Sequence, residues 1–263
     1  MYLHYSSRAL LLTSVIFSAN AFADLFDFEG FEEGYAQVRA GGGVTWLSAG
    51  ESSLGVTAAP ETDTLTSSDS DAAGLATLGV GYVFPMGCDD CDDFRLLPGI
   101  MISLDGTYQF ETDLTGDVWM YGDPAFDLYT YDYSIENANL LANLTLGLVE
   151  LNRWTLFAIG GIGAAWTWVE YQDTPKPGVS KGNITLDENS NTSFAWQAGG
   201  GLGFEIMPEL DVTLTYLYTD LGDAQTSSTV TYENHFGGTP DITPAEFDLT
   251  EQSIILGLQW NFL

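Results

Sequence analysis

The sequence predicts an all-β chain: an eight-stranded antiparallel up-and-down transmembrane β-barrel with long extracellular loops and short periplasmic turns. Three observations carry that expectation. Apolar and polar side chains alternate at period two in segment after segment, the connections are long and short by turns, and an export signal stands first. Period-two alternation puts one class of side chain on each face of a strand. Lipid offers the backbone no hydrogen-bond partner, so strands cross a bilayer only as a closed sheet.

The chain begins with one base, Arg8, an apolar run from Ala9 to Phe17, and then Ala21-Phe22-Ala23. That order is a secretory signal peptide over residues 1–23, and the run is too short to be a membrane anchor. Residues 24–33 read as an acidic periplasmic segment, and 34–263 as a single barrel domain. Without the signal, five Lys+Arg remain against 37 Asp+Glu, a formal charge of about −32. A nucleic acid would be repelled by such a surface, whereas cations would be drawn to it. No later apolar run is long enough for a transmembrane helix.

The strands follow in order. Over 35–47 the even positions Val38, Val44 and Trp46 oppose Gln37, Arg39 and Thr45. Residues 73–84, AGLATLGVGYVF, make the second strand. Over 97–110, Ile100, Ile102, Leu104 and Phe110 oppose Ser103, Asp105, Thr107 and Gln109. Over 134–148, Leu140, Ala142, Leu144 and Leu146 oppose Asn137, Asn139, Asn143 and Thr145. The sixth, 193–206, sets Phe194, Trp196 and Leu202 against Ser193, Gln197 and Glu205. The seventh, 210–218, sets Val212, Leu214 and Tyr216 against Asp211, Thr213 and Thr215. The last, 250–262, sets Ile254, Leu256, Leu258, Trp260 and Phe262 against Glu251, Ser253, Gln259 and Asn261.

The fifth segment, FAIGGIGAAWTW (157–168), is apolar on both faces and is also compatible with a nucleotide loop or a helix. A dinucleotide loop requires its glycines to open a helix, and this stretch stays strand-like from Trp154 to Tyr171. With even positions outward, Trp154 and Trp166 are separated by roughly 30 Å along a tilted barrel, the height of the apolar band with its aromatic girdles. Gly161, Gly163 and Ala165 then face the lumen and leave room for other side chains, with Phe157 and Ile159 also inward.

Polar segments at 49–72, 111–132, 172–192 and 222–248 are expected as long loops, and 85–95, 149–153 and 207–209 as short turns. Barrels of the outer membrane alternate in this way, long outside and short in the periplasm. A soluble β-sandwich would share the strand pattern but has no reason to alternate loop lengths.

Eight strands enclose an interior that side chains just fill. Arg39 is the one inward base, and Asp105, Glu205, Asp211 and Glu251 are the inward carboxylates. A buried guanidinium requires a partner, so Arg39 is expected to pair with Asp105 or Glu205 and help plug the lumen. Cys88 and Cys91, in GCDDCDD, are expected to form a disulfide in the oxidising periplasm, since zinc would require further thiol or imidazole ligands. His235 is read as a solvated loop residue, because acid–base catalysis needs held geometry. No catalytic site, cofactor or metal centre is expected; acidic loops are candidates for divalent cations shared with lipopolysaccharide phosphates.

The C-terminal run Leu258-x-Trp260-x-Phe262-Leu263 resembles the terminal insertion signal of outer-membrane barrels, with the aromatic penultimate rather than last. Residues 193–222 resemble the penultimate hairpin, and 38–47 the first strand, of small eight-stranded barrels of the opacity-protein/OmpW-like group. The resemblance implies a monomer in the bacterial outer membrane, among its lipid and lipopolysaccharide, placed there by the barrel-insertion machinery. Two functions remain open. One is a structural and surface-interaction role in envelope integrity, adhesion or cation bridging; the other is a narrow channel for small hydrophobic solutes. Fold does not choose between them.

Overall fold

A computed structural model describes residues 34–56, 62–86, 94–179, 182–233 and 241–262. The expected signal peptide, the acidic segment 24–33, Cys88, Cys91 and His235 lie outside the described residues. Eight long strands run β1 Tyr35–Ala49, β2 Ala73–Pro85, β3 Gly99–Trp119, β4 Asp127–Leu151, β5 Trp154–Pro175, β6 Ile184–Met207, β7 Leu210–Gln225 and β8 Glu246–Phe262. Each pairs antiparallel with its sequence neighbour, and β8 returns to β1 from Ala36↔Phe262 to Ala49↔Leu249, which closes the ring. No helix among the described residues is long and apolar enough to cross a membrane.

The alternation holds in the phase read from the sequence. On β5, Trp154 and Ile162 point outward, whereas Ile159, Ala165 and Thr167 are buried inside. Outward aromatics gather at two levels. Trp154 packs on Phe204 and Tyr82 on Phe84 towards the turns, with Trp196 on Tyr218 and Tyr108 on Phe110 towards the other end. These are the girdles that interfacial aromatics form at both edges of an apolar band.

Much of the polar sequence expected as loop is strand. Residues 111–119 belong to β3, 127–132 to β4, 184–192 to β6 and 246–248 to β8. β4 has 25 residues; at about 3.3 Å rise and a tilt near 40° that is about 60 Å of height, against an apolar band of about 25 Å. The surplus stands in water, where the polarity of the two faces must invert. On β4, Leu140, Ala142 and Leu144 point outward within the band, and Tyr133, Tyr131 and Tyr129 point inward above it. Asp132, Ser134 and Glu136 occupy the outward positions there. The interior of this upper section is an apolar core that includes Leu47, Leu114, Tyr131, Tyr133, Val169, Tyr171 and Phe247. Two connections on this side stay long, 50–72 and 226–245; the other two are only 120–126 and 176–183.

Bulges mark the change of environment. On β3 the register shifts between Gln109 and Thr112, so odd positions face inward below it and even ones, Thr112, Leu114 and Val118, above it. On β7 the register against β8 shifts between Asp220 and Gly222, whose φ of +73° is open to glycine and which lies close against Ser193 and Phe194 of β6. The β6–β7 ladder stops at Trp196↔Asp220. Above that point side chains bridge the two strands. Asn189 and Asn191 donate to the Gln225 carbonyl at 2.8 and 3.0 Å, and Ser193 to that of Asp223 at 3.1 Å.

Candidate functional site

The lumen is organised in layers. Nearest the turns, Gln37 donates to Asn261 at 2.7 Å and Asn261 to Asp211 at 3.2 Å. Asp211 stands opposite Glu205 in the β6–β7 register. Above this level Arg39 pairs with Asp105 and donates to Ser103 at 2.6 Å. Asp105 also accepts from Ser103 at 2.8 Å and from Asn143 at 2.6 Å, while Gln197 donates to Asn143 at 2.6 Å. Four strands thus converge on one carboxylate and one guanidinium, whose side chains are 13% and 14% exposed. Two glycines make the space: a Cβ on Gly79 would overlap the Asp105 carboxylate, and one on Gly161 the Asn143 amide.

Next comes an apolar layer of Leu75, Ile159, Leu217 and Ile255. Above it lies Glu251, 3% exposed, which accepts from Ser253; the Ser253 and Thr45 hydroxyls lie 3.1 Å apart. The aromatic core of the upper section closes the stack. Tyr133 stacks on Phe247 at 4.7 Å between ring centroids, and Tyr131 and Tyr171 pack beside it.

The five charged lumen residues expected as one cluster are therefore spread along the axis. Arg39 meets Asp105; Glu205 and Asp211 sit at the periplasmic rim, and Glu251 lies near the opposite edge of the membrane. Ser103, Asn143 and Gln197, which complete the Arg39 network, are inward polar positions visible in the alternation. What was missing was the register that brings them to one level. Leu258, Trp260 and Phe262, the residues of the C-terminal signal, all face outward on β8.

Outside the barrel, above the band, the outward face of β3, β4 and β5 carries Glu111, Asp113, Asp132, Glu136 and Glu170, beside a groove of about 350 Å³. Burial and the neighbouring Asp113 hold the Asp132 carboxyl above its ordinary range. At the top rim Lys176 grips Asp117 and Asp127, each at 2.6 Å. Burial pulls its ammonium down, but the two carboxylates outweigh it and raise it overall. Inside the rim, burial pushes Asp173 up to about 7 despite a hydrogen bond from the Ile184 amide at 2.6 Å, with Asp63 adding to the rise. Among the described residues no group of three or more His, Cys, Asp or Glu side chains is arranged to hold a metal ion.

The sequence matches the family model for the outer membrane protein beta-barrel domain over residues 9–262. The chain belongs to that family. This outer-membrane barrel is similar in fold to Ail, the attachment invasion locus protein of Yersinia pestis, at 12% identity and TM-score 0.34, over 88% of this chain and 99% of that one. It is similar to OprG from Pseudomonas aeruginosa at 14% identity and TM-score 0.45, over 86% and 96%. It is also similar to the outer membrane protease OmpT from Escherichia coli at 12% identity and TM-score 0.34, over 87% and 97%. No curated protein matches the sequence. As a member of the family the protein resides in the bacterial outer membrane, its apolar band in contact with lipid.

Proposed function

We propose that this barrel is a non-conducting, non-enzymatic structural and surface-interaction protein that holds a rigid acidic collar above the outer membrane. The observation that carries the reading is the inverted upper section, with its apolar core inside and carboxylates outside. A pore needs a continuous wet lumen. Here the Arg39–Asp105 network, the apolar layer and the tyrosine core follow one another along the axis, which supports a closed barrel over a conduit for hydrophobic solutes. The collar's partners are cationic: a basic surface on a neighbouring molecule, or divalent ions shared with lipopolysaccharide phosphates. Insertion through the outward Leu258, Trp260 and Phe262 and a monomeric state belong to the same reading.

The test uses the mature chain refolded into vesicles containing lipopolysaccharide. Millimolar Ca²⁺ raises the thermal midpoint of the wild type, and the combined Glu111→Gln, Asp113→Asn, Asp132→Asn and Glu170→Gln variant loses that rise. Planar-bilayer recording of the same wild-type preparation shows no single-channel steps. Reproducible steps, or an equal Ca²⁺ response in the neutralised variant, would overturn the reading.

A further inference from the structure

The lumen below Arg39 is not filled. A cavity of about 280 Å³ opens from the turn side, close to the lower limit of ordinary small-molecule pockets. Phe157, Thr213 and Gln259 border both it and a smaller space of about 70 Å³ beside Arg39 and Asp105, so the plug is its ceiling. This vestibule lies outside the role given to the collar.

Two of its side-chain oxygens are left without a partner among the described residues. An ionised carboxylate only accepts, so Asp211 requires the Nδ2 of Asn261, and Asn261 must then turn its Oδ1 to the Nε2 of Gln37. That relay fixes the Gln37 amide with its Oε1 as a free acceptor. Gln37 is 5% exposed, lines the cavity, and its Oε1 has no hydrogen-bond partner among the described residues. The Oγ1 of Thr145, 8% exposed and also in the lining, likewise has none among the described residues. A buried polar atom left without a partner is costly, and a ligand that satisfies several at once recovers that cost. Arg95, on the short strand Phe94–Leu96 that pairs with β4, stands opposite Glu150, so the two offset in charge and Asp211 is the further carboxylate of the lining, with Glu205 opposite it. Tyr35, Phe157 and Met101 supply apolar and aromatic surface around these acceptors.

Two unpartnered oxygens, a carboxylate in excess of the bases at the wall and an aromatic surface suit a small cation that has several N–H groups and an apolar body. We propose that this periplasmic vestibule binds a primary ammonium carried on a small apolar or aromatic body. Asp211 and Gln37 accept from the ammonium, Thr145 completes the set, and Tyr35 and Phe157 cover the body. A quaternary ammonium has the charge without the N–H donors, and an alcohol has a donor without the charge. Each satisfies only part of the site.

The experiment uses the isotope-labelled mature chain refolded in detergent micelles, titrated with phenethylammonium chloride and followed through the side-chain amide resonances of Gln37 and Asn261. Both shift saturably at millimolar ligand or below. The trimethylated analogue and 2-phenylethanol bind roughly tenfold more weakly or worse, and Asp211→Asn costs at least tenfold, as losing a charged acceptor does. Thr145→Val, which keeps the shape, serves as a second variant and weakens binding less; the amide spectrum of each variant reports its fold. Shifts that fail to saturate, equal binding of the trimethylated analogue, or an Asp211→Asn variant that binds as the wild type does would overturn the proposal.

Discussion

Arg39→Met removes the guanidinium from the lumen and keeps most of the side chain's bulk. Asp105 would then be a carboxylate without a counter-charge, still accepting from Ser103 and Asn143. Removing one partner of a buried ion pair costs about 3–5 kcal/mol. The two side chains are 14% and 13% exposed, and two neutral donors remain on Asp105, which places the expected loss at the lower end, about 3 kcal/mol. Equilibrium urea unfolding of the refolded barrel in lipid vesicles reads it. At a slope of about 1–3 kcal/mol per molar urea, the midpoint falls by about 1–3 M. Arg39→Met combined with Asp105→Leu removes the orphaned charge and recovers most of the loss. An Arg39→Met variant within about 0.5 kcal/mol of wild type, or a double variant no more stable than the single one, would show that no buried charge is left uncompensated.

Three other outcomes follow from the same geometry. Gly161→Val drives a side chain into the Asn143 amide and destabilises the barrel by about 1–3 kcal/mol, measured by the same urea unfolding. Asp173 ionises near 7 in the folded chain and near 3.8 when unfolded, so folding holds its proton. Its contribution to stability is therefore full below pH 3.8, falls as the pH rises towards 7, and is absent above that. Hydrogen exchange of the upper section slows on going from pH 8 to pH 5, after correction for the intrinsic rate, and Asp173→Asn abolishes the difference. Lys176→Ala changes global stability by less than about 1 kcal/mol, as exposed ion pairs do, but speeds exchange in 117–127, where its two carboxylate partners lie.

The membrane-spanning half of the fold was legible because one physical rule governs it: lipid outside and a narrow polar interior inside. Trp154 and Trp166 outward, with Gly161 and Ala165 inward, follow from that rule alone. The upper section reads as loop in the sequence because its polarity inverts while its period does not. In YTYDYSIEN the tyrosines stand at 129, 131 and 133, the same odd phase as Asn137 and Asn143 below. A search for outward apolar residues reads that stretch as loop; a search for period two of either polarity reads it as strand. The bulge after Gln109 exchanges the two phases on β3 and hides the continuity further. The partner of Arg39 was narrowed to two carboxylates by charge, but only register puts Asp105 at its height and Glu205 at the rim. The seam between β6 and β7 lies where the register of β7 shifts at Gly222, which no local pattern encodes.

A nitroxide depth scan along β4 reads the inversion of its two faces. Labels at the outward positions from Leu146 through Leu144, Ala142, Leu140 and Ala138 to Glu136, Ser134 and Asp132 report oxygen against a water-soluble relaxant in lipid vesicles. Relaxation is oxygen-dominated up to Ala138 and changes to water-dominated by Ser134, with the period-two pattern of mobility continuing unbroken through Thr130. Lipid-like relaxation at Asp132, or a loss of strand periodicity above Glu136, would contradict the inversion.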